Sequence, residues 1–111
     1  MENALGIMEA ALRVRTALAE VMAGNIANAD TPGYTAKTMD FNAALSAALE
    51  NDSRGSYDAK RITAENIRYD RNDVDQQQEL GRYSDNALMY LSTMRLYRDS
   101  IARLKEAEET R

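Results

Sequence analysis

Residues 24–34 read GNIANADTPGY and contain Pro32, the only proline in the 111-residue chain. The residue before a proline is pushed out of the α region, so a helix that reaches this stretch has to end before Thr31. Pro32 and Gly33 suit the two central positions of a type II turn, because proline supplies a fixed φ and glycine a positive one. The stretch therefore predicts a helix end followed by a sharp reversal of the chain.

The segment upstream of this turn is predicted to be a long amphipathic helix over residues 3–28. Its side chains recur at alternating spacings of three and four, which is the period of one helix face. One stripe consists of Leu5, Met8, Leu12, Arg15, Ala19, Met22 and Ile26, and a second of Ile7, Ala11, Val14, Leu18 and Val21. Asn25 and Asn28 fall in the last turn, where asparagine bonds loose backbone groups and tolerates a left-handed cap.

The C-terminal segment carries a stronger helical pattern. Apolar residues follow each other at spacings of three and four over more than three heptads: Leu80, Tyr83, Ala87, Tyr90, Met94, Tyr97, Ile101 and Leu104. Asp73 followed by Gln76 resembles a capping box, and Asp75 would lie in the first turn. The pattern predicts a coiled-coil helix that pairs with the N-terminal one.

Residues 87–97, ALMYLSTMRLY, place apolar side chains on nearly every face of this second helix. Leu88 and Leu91 lie beside the main stripe, and Leu96 lies well away from it. A helix that is apolar all round needs more than one neighbour. An intrachain helix pair alone would bury Met94 and leave Leu96 exposed, so the pattern favours assembly with other subunits. The alternative is that the middle of the chain folds over the remaining apolar surface.

The middle of the chain has weaker signals. Phe41, Leu45 and Leu49 predict a short helix over residues 40–50, NDSRGS at 51–56 predicts a loop, and residues 57–72 suggest a weak hairpin or an irregular arm. The predicted fold class is mainly α, with two long amphipathic heptad helices joined by these elements. One structural domain results, divided into an N-terminal helix (1–29), the turn with short helix and arm (30–72) and a C-terminal helix (73–111).

The composition excludes several classes of function. The chain has no cysteine, histidine or tryptophan, which removes disulfide, thiolate and imidazole chemistry and the usual ligands of zinc. Its net charge is −4, with both signs spread along the chain, so nucleic acid is not an expected partner. Asp70, Asp73 and Asp75 resemble the start of a calcium loop but lack its glycine and closing glutamate. The sequence predicts no catalytic, cofactor-binding or metal site, and no enzyme.

The N-terminal residues predict neither a cleaved signal peptide nor insertion into a membrane. They lack a basic n-region, and Glu9, Arg13 and Arg15 interrupt any apolar run of the required length.

The turn resembles the signature of a known family, the axial proteins of the bacterial flagellum, which carry a segment like ANNLANANTPGY near the N-terminus. The matching residues are Asn25, Ile26, Ala27, Asn28, Ala29, Thr31, Pro32, Gly33 and Tyr34. Within that family, the chain is similar to the proximal rod proteins of the basal body. This similarity is carried by Asp30, by the KTMDF segment at 37–41 and by a set of C-terminal residues. That C-terminal set is Asn72, Val74, Asp75, Glu79, Asn86, Leu88 and Tyr90.

This resemblance implies a structural subunit that polymerises through its terminal helices into the periplasmic, torque-transmitting rod of the flagellar basal body. It implies export through the flagellar type III apparatus without a cleaved signal peptide. The implied partners are copies of the chain, other rod proteins, the membrane ring at the rod base and the basal adaptor subunit. The alternative is a free helical binding module, such as a flagellar export chaperone or adaptor, that uses the same apolar stripes on a client.

Overall fold

Five elements make up the computed structural model, which describes residues 4–53, 66–69 and 75–109. In chain order they are α1 (Ala4–Ala27), β1 (Lys37–Met39), α2 (Phe41–Ser53), β2 (Ile67–Tyr69) and α3 (Gln76–Glu109). The two long terminal helices pack together, and the short helix and a two-stranded sheet lie between them in sequence. The predicted mainly α fold class is confirmed.

A thin core joins α1 to α2. Its buried members are small or aliphatic, and they are Ala10, Val14, Ala17, Leu18, Met39, Ala44 and Ala48. Phe41 and Leu45 pack against this cluster from α2. Alanine favours the helix and lets two helices approach closely, but it buries little apolar surface. The described part of the middle segment packs on α1 and leaves much of α3 exposed. Residues 54–65 and 70–72 of the middle segment lie outside the described residues, so the alternative in which that segment covers α3 stays a prediction for them.

An aspartate caps the start of α2. The Asp40 Oδ1 accepts hydrogen bonds from the backbone N–H groups of Asn42 at 3.0 Å and Ala43 at 3.3 Å. These are two of the donors that a helix start otherwise leaves without partners. The helix continues through Ser53, so the predicted end at residue 50 and the predicted loop at residues 51–53 are wrong. Residues 54–56 of that loop lie outside the described residues. The loop was suggested only by the polar composition of this stretch. Residues of modest helix propensity can still extend a helix whose earlier turns are packed.

The sheet is formed by two segments far apart in sequence. β1 and β2 are antiparallel, with Lys37 opposite Tyr69 and Met39 opposite Ile67. The sequence pattern does not predict a strand at residues 37–39, because three residues are too few to show alternation. The extended residues 67–69 thus pair with β1, whereas a hairpin within 57–72 would have paired them locally. Residues 57–65 and 70–72 of the predicted arm lie outside the described residues.

The start of α3 differs by a few residues from the prediction. Asp75 precedes the helix, and its Oδ1 accepts a hydrogen bond from the backbone N–H of Gln78 at 3.2 Å. Asp75 is therefore the capping residue, not a first-turn residue as predicted. The predicted capping residue, Asp73, lies outside the described residues.

The two terminal helices run antiparallel. Arg15 of α1 contacts Asn86 of α3, and Glu9, further towards the N-terminus, contacts Tyr97. Because α3 has 34 residues and α1 has 24, the C-terminal part of α3 reaches beyond its partner. Every side chain from Ile101 to Glu109 is exposed.

Candidate assembly surface

The turn after α1 has the geometry that its sequence predicts. The backbone N–H of Tyr34 donates to the carbonyl of Thr31 at 3.2 Å, and Gly33 has a φ of +78°. A hydrogen bond across Pro32–Gly33 with positive φ at the second central residue defines a type II turn. The turn forms an exposed corner at the end of α1.

Asn28 closes the end of α1 with its side chain. Its Nδ2 donates to the backbone carbonyl of Gly24 at 2.9 Å, and its Oδ1 accepts a hydrogen bond from the Thr31 hydroxyl at 3.1 Å. Within the described ranges, no residue other than glycine has a positive φ. The predicted bonding of loose backbone groups is thus present at Asn28, and neither Asn25 nor Asn28 adopts the left-handed conformation that asparagine tolerates.

Asn25 ties the end of α1 to the start of β1. Its side-chain Nδ2 donates to the carbonyl of Lys37 at 2.7 Å, and its Oδ1 accepts from the N–H of the same residue at 2.9 Å. The Tyr34 hydroxyl also donates to this Oδ1, at 3.0 Å. The Asn25 amide thus bonds the N–H and the carbonyl of Lys37 as a neighbouring strand would. Asn25 is 1% exposed, and buried polar groups of this kind need such partners.

We expect Gly33→Ala to destabilise the chain. A Cβ at this position would meet nothing within 4 Å, so the cost comes from the positive φ alone. That cost is about 1–2 kcal/mol for a residue with a side chain. Urea unfolding followed by circular dichroism measures it, and an unchanged unfolding midpoint would contradict the type II turn.

The same substitution should have the opposite sign nine residues earlier. Gly24 lies inside α1, and a Cβ there would stand 3.8 Å from the Tyr34 hydroxyl oxygen, an ordinary contact distance. Alanine in a helix interior is more stable than glycine by roughly 0.5–1 kcal/mol. Gly24→Ala should therefore raise the unfolding midpoint, and a lower midpoint would show that the α1 end does not have this packing.

The face of α3 that meets α1 is more polar than the predicted stripe. Glu79 and Asn86 are its two buried side chains, and Thr93 and Ser100, each seven residues further on, are half-buried. The tyrosines of the predicted stripe alternate with these polar residues. Apolar residues of the predicted stripe do not all face α1: Leu80, for example, is 54% exposed. The face of α3 that contacts α1, called the seam below, is thus rotated about the helix axis by part of a turn from the predicted one.

Apolar side chains cover much of the outer surface of α3. Those that are more than half exposed are Leu80, Leu88, Met89, Leu91, Leu96 and Leu104. Leu96, at 59% exposure, is uncovered as predicted. Met94 is only half-buried, whereas the sequence analysis expected an intrachain pair to bury it. The difference arises because the seam centres on Asn86 and Tyr90 and leaves Met94 at its edge.

The predicted packing and turn residues divide by exposure. The buried residues are Leu12, Val14, Leu18, Val21 and Asn25; the half-buried ones are Leu5, Met8, Met22, Ile26, Asn28, Tyr34, Tyr90, Met94 and Tyr97. The exposed ones are Ala27, Asp30, Thr31, Pro32, Gly33, Leu80, Tyr83, Ala87, Leu88, Leu91, Leu96, Ile101 and Leu104. The residues of α1 thus lie mostly inside the chain, and those of α3 mostly outside.

A shallow groove runs along one side of the contact between the terminal helices. It has a volume of about 320 Å³ and is lined by Arg15, Thr16, Ala19, Tyr83, Asn86, Ala87, Tyr90 and Leu91. Leu91 is 62% exposed at this groove, so the apolar surface of α3 continues into it. A surface of this kind on a small chain is typical of a protein–protein contact.

Glu9 and Tyr97 connect the terminal helices towards the N-terminal end of α1. The Tyr97 hydroxyl donates to the Glu9 Oε1 at 2.6 Å. This hydrogen bond, followed by desolvation and the charge of Glu9, raises the pKa of Tyr97 above its ordinary value near 10. Because the folded state favours the protonated phenol, the contribution to stability is complete below pH 10 and is lost as the pH rises through the raised pKa.

We therefore expect Tyr97→Phe to reduce stability at pH 8 but to match the unsubstituted chain at a pH above the raised pKa. Urea midpoints of both chains, measured from pH 8 upwards, test this. A difference between the two chains that stays constant into the alkaline range would show that the hydroxyl makes no specific bond to Glu9.

The described residues bear on two other kinds of feature, metal sites and membrane-spanning helices. Among the residues it describes, no three His, Cys, Asp or Glu side chains are grouped so that they could hold a metal ion. Within the same ranges, no helix combines the length and apolar character needed to cross a membrane.

Comparison with known proteins gives the family of the chain. The family model described as flagella basal body rod protein matches residues 8–35, which include α1 from Met8 onwards and the turn. The chain is 34% identical over 122 residues to the flagellar basal body rod protein FlgB of Aeromonas hydrophila, with 96% of this chain and 92% of that protein covered. It is 33% identical to the protein of the same name from Escherichia coli strain K12, with 81% of each covered.

The two terminal helices and the turn between α1 and β1 thus belong to a rod protein of the bacterial flagellum. More narrowly, the chain belongs to the FlgB family of flagellar basal body rod proteins. This membership favours the rod subunit over the free binding module that the sequence analysis kept as its alternative.

Proposed function

We propose that the chain enters the rod through the outer surface of α3, which packs against neighbouring subunits. The chain is a structural subunit of the flagellar basal body rod, as its relatives are by name. The observation that carries the proposal is the exposure of Leu88, Leu91 and Leu96, each about 60% exposed on one helix. Apolar side chains at this density on a chain of 111 residues gain stability when a neighbour covers them.

The turn and the Asn25 contacts serve this assembly by fixing the end of α1. They hold β1 against α1 and so define where α2 leaves the helix pair. α3 packs on α1, and α1 in turn packs on α2 through the core between them. This arrangement supports a subunit in which α1 lies mostly inside the chain, while one face of α3 packs on α1 and the outer surface of α3 is available to neighbouring subunits.

The place of the subunit in the rod is a further part of the proposal. The proximal position, next to the membrane ring and the basal adaptor subunit, follows from the resemblance of the turn and of the C-terminal segment. The same proposal includes three further points. The subunit passes through the flagellar type III export apparatus, it lies in the periplasm, and the assembled shaft transmits torque.

Crosslinking in cells tests the proposed contacts. A photoreactive amino acid placed at Leu88 should give adducts with another rod protein, the ring or a second copy in purified basal bodies. The same photoreactive amino acid placed at Leu18, a leucine that is 9% exposed in the α1–α2 core, is the matched control and should give no intermolecular adduct. Adducts next to the ring or the export gate would support the proximal position. Adducts only with proteins close to the hook would contradict it.

A further inference from the structure

The contact between α1 and α3 contains a repeating pattern that does not fix its own register. Tyr83, Tyr90 and Tyr97 recur every seven residues along the seam. The polar positions between them also recur every seven residues. A displacement of α3 by one heptad brings Tyr90 and Tyr97 to the places of Tyr83 and Tyr90, and Leu104 to the place of Tyr97. Apolar packing therefore discriminates poorly between the two arrangements.

One such displacement also preserves the length of the contact. If Thr93 moved to the place of Asn86, opposite Arg15, α1 would still be matched along its length because α3 is the longer helix. In this arrangement Asn86 would lie opposite Met22, seven residues further along the antiparallel partner. Something other than length and apolar pattern has to select the observed register.

The Arg15–Asn86 contact has the required specificity. The Asn86 Nδ2 donates to the Arg15 backbone carbonyl at 2.9 Å, and its Oδ1 accepts from the Arg15 Nη1 at 3.0 Å. Both ends of the amide thus bond one residue, and Asn86 is 5% exposed. A displaced helix would lose both bonds and place the amide against Met22. Thr93 has no equivalent role, since its hydroxyl donates to the Met89 carbonyl of its own helix at 2.8 Å.

Arg15 is itself held in place from the other side. Its guanidinium carbon lies 4.0 Å from the centre of the Phe41 ring in α2, a distance typical of a cation–π contact. Arg15, a residue of α1, therefore contacts both α2 and α3. The contact with Phe41 orients the guanidinium so that its Nη1 faces Asn86. Burial lowers its pKa from the ordinary value, but an arginine remains charged at physiological pH.

We propose that Asn86, bonded to Arg15, is the buried positioning residue that selects the axial register of α3 against α1, with the half-buried Tyr97–Glu9 hydrogen bond as a second polar contact that the displacement would break. A single buried asparagine is known to specify register in coiled coils at some cost in stability. The register in turn sets how far the apolar surface of α3 stands from the turn after α1, and hence where that surface meets a neighbour.

Distances between spin labels on the purified full chain test this inference. Cysteines replace Ala23 and Ala102, two exposed residues on different helices, and the chain has no cysteine of its own. The chain with native Asn86 should give one narrow distance distribution. Asn86→Leu should keep its helix content and add a second distance that differs by about 10 Å, the rise of seven helical residues.

Thr93→Leu is the matched control, because it introduces the same side chain one heptad later and should leave the single distance unchanged. A single, unchanged distance in Asn86→Leu would overturn the proposal, and so would an equal second population in both variants. If Asn86→Leu loses helix content, Arg15→Met decides: a displaced second distance supports the proposal, and the native distance alone overturns it.

Discussion

We expect Asn25→Leu to lower the free energy of unfolding by roughly 2–6 kcal/mol, because it leaves two backbone groups of Lys37 without their partners at about 1–3 kcal/mol each. The substitution conserves much of the side-chain volume, so the loss reports the hydrogen bonds rather than a cavity. Tyr34 would also lose the acceptor of its hydroxyl. Urea unfolding of the purified chain is the measurement, and the midpoint should fall well below that of the unsubstituted chain.

Asn28→Ala is the control for this prediction. Asn28 bonds one carbonyl within its own helix and one exposed hydroxyl, so its loss should cost only about 1 kcal/mol. If both substitutions shift the midpoint equally, Asn25 does not hold β1 against α1 in the way the structure describes. A reduced protection of the Lys37 amide in hydrogen exchange, seen only in Asn25→Leu, would locate the effect.

Leu96→Asp should abolish motility without unfolding the subunit. Leu96 is 59% exposed in the single chain, so the substitution should change its stability by no more than about 0.5 kcal/mol. In the rod the new carboxylate would be removed from water against a neighbour, which costs several kcal/mol without a partner charge. The variant should be expressed and exported, yet missing from purified basal bodies.

Two further variants separate assembly from folding. Leu96→Met keeps the apolar character of the side chain and should retain motility. Met94→Asp places its charge at the edge of the intrachain seam, where Met94 is half-buried, so it should also lower the stability of the free chain. Normal swimming with Leu96→Asp would show that this side of α3 has no neighbour in the rod.

Local sequence signals predicted the turn and the long helices well. Pro32 and Gly33 restrict the backbone by their own covalent structure, so the type II turn did not depend on distant residues. The periodic apolar residues of α1 and α3 likewise reported their helices within a few residues. The short strand at residues 37–39 escaped prediction, because its structure depends on Asn25 and on β2 rather than on its own pattern.

The rotation of α3 against α1 was harder to predict. Apolar periodicity pointed to the face containing Leu80 and Met94, but the chain buries Asn86 and Glu79 instead. In a subunit that assembles, apolar residues serve contacts both within and between chains, and the sequence pattern does not separate the two. The polar residues at heptad spacing were the available signal, since a buried amide needs a specific partner such as Arg15.

The reactivity of a cysteine at position 96 reports whether the outer surface of α3 is a contact between subunits. Leu96→Cys supplies the only thiol in the chain. A maleimide reagent should label it rapidly in the free subunit and slowly in intact basal bodies, with labelling restored when the basal bodies are dissociated by denaturant. Equal labelling of the free subunit and the intact basal body would contradict the claim.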